Sequence, residues 1–107
     1  MSASIASGNP QLSVVVPVHN EEDNVTPLVG EIVAALRGVI SFEIVYVDDT
    51  SRDATLQRLR DLQATTPELR VIRHLSNAGQ STAVRNGVKA ARAPWIATLD
   101  GDGQNDP

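Results

Sequence analysis

A chain of 107 residues can form one domain around one core, and 41% hydrophobic against 21% charged residues is the balance of a globular protein, not of a disordered or fibrous one. Nine Lys and Arg against thirteen Asp and Glu give a formal charge of -4, which argues against a nucleic-acid backbone as the main partner; a phosphate ligand would have to be held by a metal ion, helix termini or a few arginines. Without cysteine there is no disulfide and no thiolate metal site, and the longest apolar runs, such as Leu12 to Val16, fall far short of the roughly 20 residues that span a bilayer.

In chain order, residues 1–11 are polar and small, include Gly8, Asn9 and Pro10, and lack the cationic-then-apolar order of a secretory signal, so they are expected to be a disordered tail. The folded unit is expected over 12–107. Leu12 to Val18 reads as a first strand, a nearly continuous β-branched run of the kind that a sheet covered on both faces requires. Asp23 or Asn24 is expected to cap a helix whose apolar positions Val25, Leu28, Val29, Ile32, Val33 and Leu36 keep helical spacing, with Gly38 as its stop. A second strand is expected over Glu43 to Val47, followed by a helix carrying Leu56, Leu59 and Leu62 and capped by Ser51 or Asp53. Val71 to Leu75 makes a third strand. A helix starting near Gly79 or Gln80 presents the small residues Ala83, Gly87 and Ala91 together with Val84 and Val88. Ala93-Pro94 breaks it, and Trp95 to Leu99 forms a fourth strand.

Strands alternating with helices imply an α/β fold with parallel strands and right-handed crossovers, so that every loop following a strand lies on one edge of the sheet. The polar clusters fall in those loops: 19–22, 48–51, 76–79 and 100–106. Ligands of open α/β sheets bind at that edge, where the strand order reverses; an order of 3-2-1-4 puts the reversal between strands one and four.

Asp100-Gly101-Asp102-Gly103-Gln104 is the sharpest local signal. Two carboxylates one glycine apart can share a hard divalent cation, Mg2+ or Mn2+, to which Gln104 can add a carbonyl oxygen; a turn held by local hydrogen bonds is the competing account. Of Asp48 and Asp49, one can cap the following helix while the other accepts from a base or ribose. Arg85 can meet phosphate or be solvated. His19 is a candidate pocket wall, His74 an ordinary strand residue. A Walker phosphate loop is missing, because Lys89, the one lysine, follows Val88, and 19–22 holds no dinucleotide glycine fingerprint.

Taken as an ordered set, the segments 16–22, 47–53, 77–80 and 99–107 resemble the family 2 glycosyltransferases, most closely the polyprenyl-phosphate and dolichyl-phosphate branch. The resemblance implies a GT-A fold and transfer of a sugar, with inversion, from a UDP- or GDP-sugar to a lipid phosphate. It implies that Pro17, His19 and Glu21 line the nucleotide pocket, that Asp49 meets the base with Asp48 beside it, and that Asp100, Asp102 and Gln104 form the metal and diphosphate site. Thr50 departs from the family, in which many members carry glycine there. No general base can be assigned. Relatives continue beyond the Asn-Asp-Pro segment, so the chain is expected to be a donor-binding part, inactive alone. An exposed sheet edge would then pair two copies, and the full-length protein would sit at the cytoplasmic face of a membrane. The other class left open is a non-catalytic nucleotide-binding or interaction domain with the same fold.

Overall fold

The computed structural model describes residues 9–74 and 79–99. In these the chain runs β1 (Leu12–Val18), α1 (Glu22–Leu36), β2 (Phe42–Asp49), α2 (Thr55–Gln63), β3 (Leu69–His74), α3 (Gln80–Ala90) and β4 (Trp95–Thr98). The strands form one parallel sheet in the order β3-β2-β1-β4, as expected. The chain steps outward from β1 to β3 and then returns to place β4 on the free side of β1. With crossovers of one hand, helices of the outward steps must lie on one face and the helix of the return step on the other.

The core follows that division. Val14, Val16 and Val18 of β1 join Ile44 and Tyr46 of β2 against Val25, Val29 and Ile32 of α1 and Leu59 of α2. The alternate residues Val15, Val45 and Val47 face Ala83 of α3, with Ile72 beside them. Every residue of β2 is buried, which is why the two central strands are apolar without alternation. On the α3 face the approach is close. A Cβ added to Gly87 would collide with Val15 Cγ1 and stand 3.0 Å from Val47 Cγ2, so the small residues singled out in this helix let it lie flush on the sheet.

Several boundaries differ from expectation. β2 extends through Asp48 and Asp49 because these continue the ladder opposite Arg73 and His74, and β3 begins at Leu69, opposite Ile44. Leu99 lies just past β4, yet its N–H still donates to Val15 O at 3.0 Å. Neither Asp23 nor Asn24 caps α1, which starts at Glu22 with Glu21 in the cap position. Ala54 precedes α2, although Asp53 Oδ1 accepts from Thr55 N at 2.9 Å, as a cap would. Gly38 does terminate α1, at φ 85°. At the amino end Pro10 is buried and Gln11 N donates to Ser41 O at 3.0 Å, so the last residues of the expected tail are tied to the sheet. The outer edge of β4 is open among the described residues, and Trp95 is 72% exposed there.

A buried carboxylate lies near the start of β2. Glu43, 2% exposed, accepts from Ser13 Oγ at 2.6 Å and Arg92 N at 2.8 Å on one oxygen. Its other oxygen accepts from Arg70 Nη1 at 2.8 Å and Arg92 Nε at 3.2 Å. Burial opposes its ionisation, but these bonds outweigh burial and hold its carboxyl below the ordinary value. Arg70 Nη1 also donates to Ala90 O at 3.0 Å, the last carbonyl of α3.

Two outcomes are expected. Helix propensity favours Gly87→Ala by roughly 1 kcal/mol, but forcing a methyl into Val15 costs about 1–3, so urea unfolding shows a net loss, smaller in the double variant with Val15→Ala than the two single losses added. For Glu43 the folded value is the lower one. Its contribution is therefore complete above the ordinary carboxyl value of 4.5 and is lost as pH falls through the folded value; Glu43→Gln flattens the decline of the urea midpoint below pH 4.5.

Candidate functional site at the carboxyl edge of the sheet

The loops after β1 and β2 are joined by side chains that bond to backbone. Asn20 Oδ1 accepts from Arg52 N at 2.7 Å, and Asn20 N donates to Ser51 Oγ at 2.8 Å. Glu21 N donates to Thr55 Oγ1 at 2.8 Å, and Ala54 N donates to Glu22 Oε1 at 2.8 Å. Each loop thus satisfies backbone donors that a tight strand-to-helix turn would otherwise leave unpaired. The two turns need left-handed residues, and Asn20 at φ 55° and Thr50 at φ 54° supply them. Asn tolerates that region, but a β-branched residue is strained in it. This explains the departure at Thr50: a glycine there would take the same turn freely, whereas Thr50 is held by its own hydroxyl, which donates to Asp49 O at 2.6 Å.

Asp48 and Asp49 do not form one pocket. Successive strand residues point to opposite faces, so Asp48 turns toward α1 and α2 and Asp49 toward α3. Asp48 is fully buried; one oxygen lies 3.4 Å from Ser51 N and 4.0 Å from Arg73 Nε, and the other has no partner among the described residues. Asp48 thus lies on the opposite face from Asp49, next to the turn that follows β2. Neither aspartate caps α2.

Asp49 is the hub of the site. Its Oδ1 lies 3.1 Å from His74 Nδ1, its Oδ2 accepts from Gly79 N at 2.9 Å, and its backbone oxygen lies 2.7 Å from His19 Nδ1. Gly79 precedes the first turn of α3, where the positive end of the helix dipole favours a carboxylate. His74 Nε2 is in turn 2.9 Å from Asn86 Nδ2. Treating His74 as an ordinary strand residue missed this. Its signal was register: the last residue of β3 stands opposite the last residue of β2.

Of the other expected residues, His19 is exposed above Asp49, Glu21 Oε1 accepts from Asn24 Nδ2 at 2.7 Å, and Pro17 is buried at the end of β1. Pro17 also lines a groove of about 750 Å³ that runs along β4 with Gln80, Val84, Thr98 and Leu99, away from the Asp49 cluster. Arg85 is exposed on α3 and makes no ion pair among the described residues. Asp100, Asp102 and Gln104, the expected Mg2+ or Mn2+ site, lie outside the described residues. Within these no cluster of three or more His, Asp or Glu could hold a metal ion, and no helix is long and apolar enough to cross a membrane.

A parallel sheet whose order reverses at β1 and β4, with acidic and histidine side chains gathered where the strands end, defines the open α/β class, whose members bind ligands at that edge. Residues 13–107 match the model of glycosyl transferase family 2, and the chain belongs to that family. It is 43% identical over 102 residues to the dodecaprenyl-phosphate galacturonate synthase of Rhizobium johnstonii, covering 91% of this chain and 29% of the relative. It is 37% identical over 97 residues to the dolichol-phosphate mannosyltransferase of Pyrococcus furiosus, covering 91% and 27%. The chain thus spans less than a third of the length of these relatives. Among solved structures, S. aureus TarS 1-349 in complex with UDP-GlcNAc superposes with a TM-score of 0.76 at 29% identity over 86% of this chain and 26% of its own. The mannosyltransferase PcManGT from Pyrobaculum calidifontis, in complex with GDP-Man and Mn2+, shares the fold with a TM-score of 0.77 at 24% identity, covering 88% and 28%. These are GT-A folds, as the resemblance implied.

The strain at Thr50 is open to measurement. Relief of a left-handed β-branched residue is worth about 1–2 kcal/mol, against about 0.4–1 for the freer unfolded chain, so Thr50→Gly raises urea stability by up to roughly 1 kcal/mol. Thr50→Val keeps the strain, loses the hydroxyl and lowers stability.

Proposed function

We propose that the chain is the donor-binding part of a glycosyltransferase that takes a sugar from a UDP- or GDP-sugar and passes it, with inversion, to a polyprenyl phosphate at the cytoplasmic face of a membrane. The observation that carries this is the assembly at one sheet edge. Asp49, His19 and Glu21 gather there, and Leu99, which precedes Asp100 in the sequence, donates its N–H to Val15 O of β1. Membership of the family and relatives named for polyprenyl-phosphate and dolichol-phosphate transfer support the substrate class.

In this account Pro17, His19 and Glu21 flank the nucleotide, and Asp49 meets the base. Asp100 and Asp102, with Gln104, supply the hard oxygen donors that suit Mg2+ or Mn2+. Held there, a cation would supply positive charge to offset that of the diphosphate. Arg85, exposed on the helix that starts beside Asp49, meets phosphate in this reading. A lipid-phosphate oxygen is already anionic and attacks the anomeric carbon as the bond to the diphosphate breaks, so no side chain need remove a proton.

Calorimetric titration of the chain with UDP- and GDP-sugars, with and without Mn2+, tests this. One donor is expected to bind only with the metal, and Asp102→Ala to weaken it at least about tenfold. If neither nucleotide binds with Mn2+ present, the proposal fails.

A further inference from the structure

We infer that β4 is held to the sheet by a polar clasp at its amino end, in which Ser13 and Glu43 grip the connection from α3 at Arg92 and Ala93, and that releasing this clasp lets β4 open from β1 as a unit while β3-β2-β1 stays folded. The clasp lies at the opposite end of β2 from Asp49, so it stands whether or not a nucleotide binds.

Little else holds β4. Among the described residues its four members pair with β1 alone, none of them is fully buried, and none belongs to either core cluster. Trp95 and Ile96, its largest side chains, are 72% and 41% exposed. The stabilisation from apolar burial scales with the area removed from water, so it is small here. Polar contacts are concentrated instead just before the strand. Arg92 N donates to Glu43 Oε2 at 2.8 Å and Arg92 Nε to Glu43 Oε1 at 3.2 Å, while Ala93 N donates to Ser13 Oγ at 3.2 Å. Ser13 Oγ gives its own proton to Glu43 Oε2 at 2.6 Å, which leaves its lone pairs to accept from Ala93.

Two of the four donors that reach Glu43 come from Arg92. Loss of partners costs a buried carboxylate more than an exposed one, so docking the connection and satisfying Glu43 are one event. The moving part is bounded. Arg70 Nη1 holds Ala90 O at 3.0 Å and Gly87 seats α3 on Val15, so the helix stays behind and the chain swings from Ala91, already extended at φ -65°, ψ 141°.

Amide hydrogen exchange on the whole chain tests this. In the wild type, protection of Leu99 N–H, which donates to Val15 O beyond the far end of β4, is expected to be at least about tenfold below that of the amides of β2. Ser13→Ala and Arg92→Leu, which cut the clasp from its two sides, each lower Leu99 protection at least about threefold further and change β2 by less than that. Trp95→Thr removes the largest side chain of β4 but keeps strand preference, and shifts Leu99 by less than about threefold. Leu99 protected as strongly as β2 in the wild type overturns the inference, because β4 then opens only with the whole sheet. So does a loss at Leu99 under about threefold in either clasp variant, or an equal loss at Leu99 and in β2. A loss in Trp95→Thr as large as in Ser13→Ala also overturns it, since packing would then hold the strand.

Discussion

The structure depends on how β2 disposes of its carboxylates. A strand buried on both faces has no room for an ionised side chain in its middle, so its charges stand at its ends, and on the α3 face the order is Glu43, Val45, Val47, Asp49. Both ends are used to hold α3. Arg70 links Glu43 to the carbonyl of Ala90 at the end of the helix, and Asp49 takes the N–H of Gly79 at its start. A cation lies at the negative end of the helix dipole and an anion at the positive end. Between the two fastenings Gly87 brings the helix down onto Val15 and Val47. The two partners supplied by β3, Arg70 and His74, sit four residues apart on one face of that strand, whereas the two acids are six apart on β2.

The other face is organised differently. There α1 and α2 rest on a continuous apolar layer, and order in their loops comes from hydrogen bonds that cross between the two turns, centred on Asn20. The α3 side therefore carries charge in fixed positions and the α1 side carries packing. The acidic and histidine groups of the Asp49 cluster belong mainly to the first. Asp48 shows the boundary between them, since it adjoins Asp49 in sequence and serves the opposite layer.

Much of the fold was legible in the amino-acid order. Continuous β-branched runs marked β1 and β2 because burial on both faces removes alternation, and the helical spacing from Val25 to Leu36 marked α1. The small residues Ala83 and Gly87 announced a close helix before the contact with Val15 was seen. The site was less legible, because its bonds join residues distant in the chain. Nothing near Glu43 in sequence announces Arg70 and Arg92, and nothing near His74 announces Asp49. The starts of α1 and α2 were misplaced for a related reason: Glu21 and Ala54 stand in the cap positions, and donors there are met from the neighbouring loop by Thr55 and Glu22.

The pairing of β1 with β4 has a consequence for how the molecule comes into being. β1 is the first strand made and finds one partner in β2 at once, but its other side waits for the last strand of the described chain. Contacts between such distant segments close late, because the intervening loop must lose its freedom first. During synthesis the flank of β1 stays unpaired until β3 and α3 have emerged and docked. The carboxyl edge of the described sheet is therefore complete only once β4 has docked, as the final act of its folding.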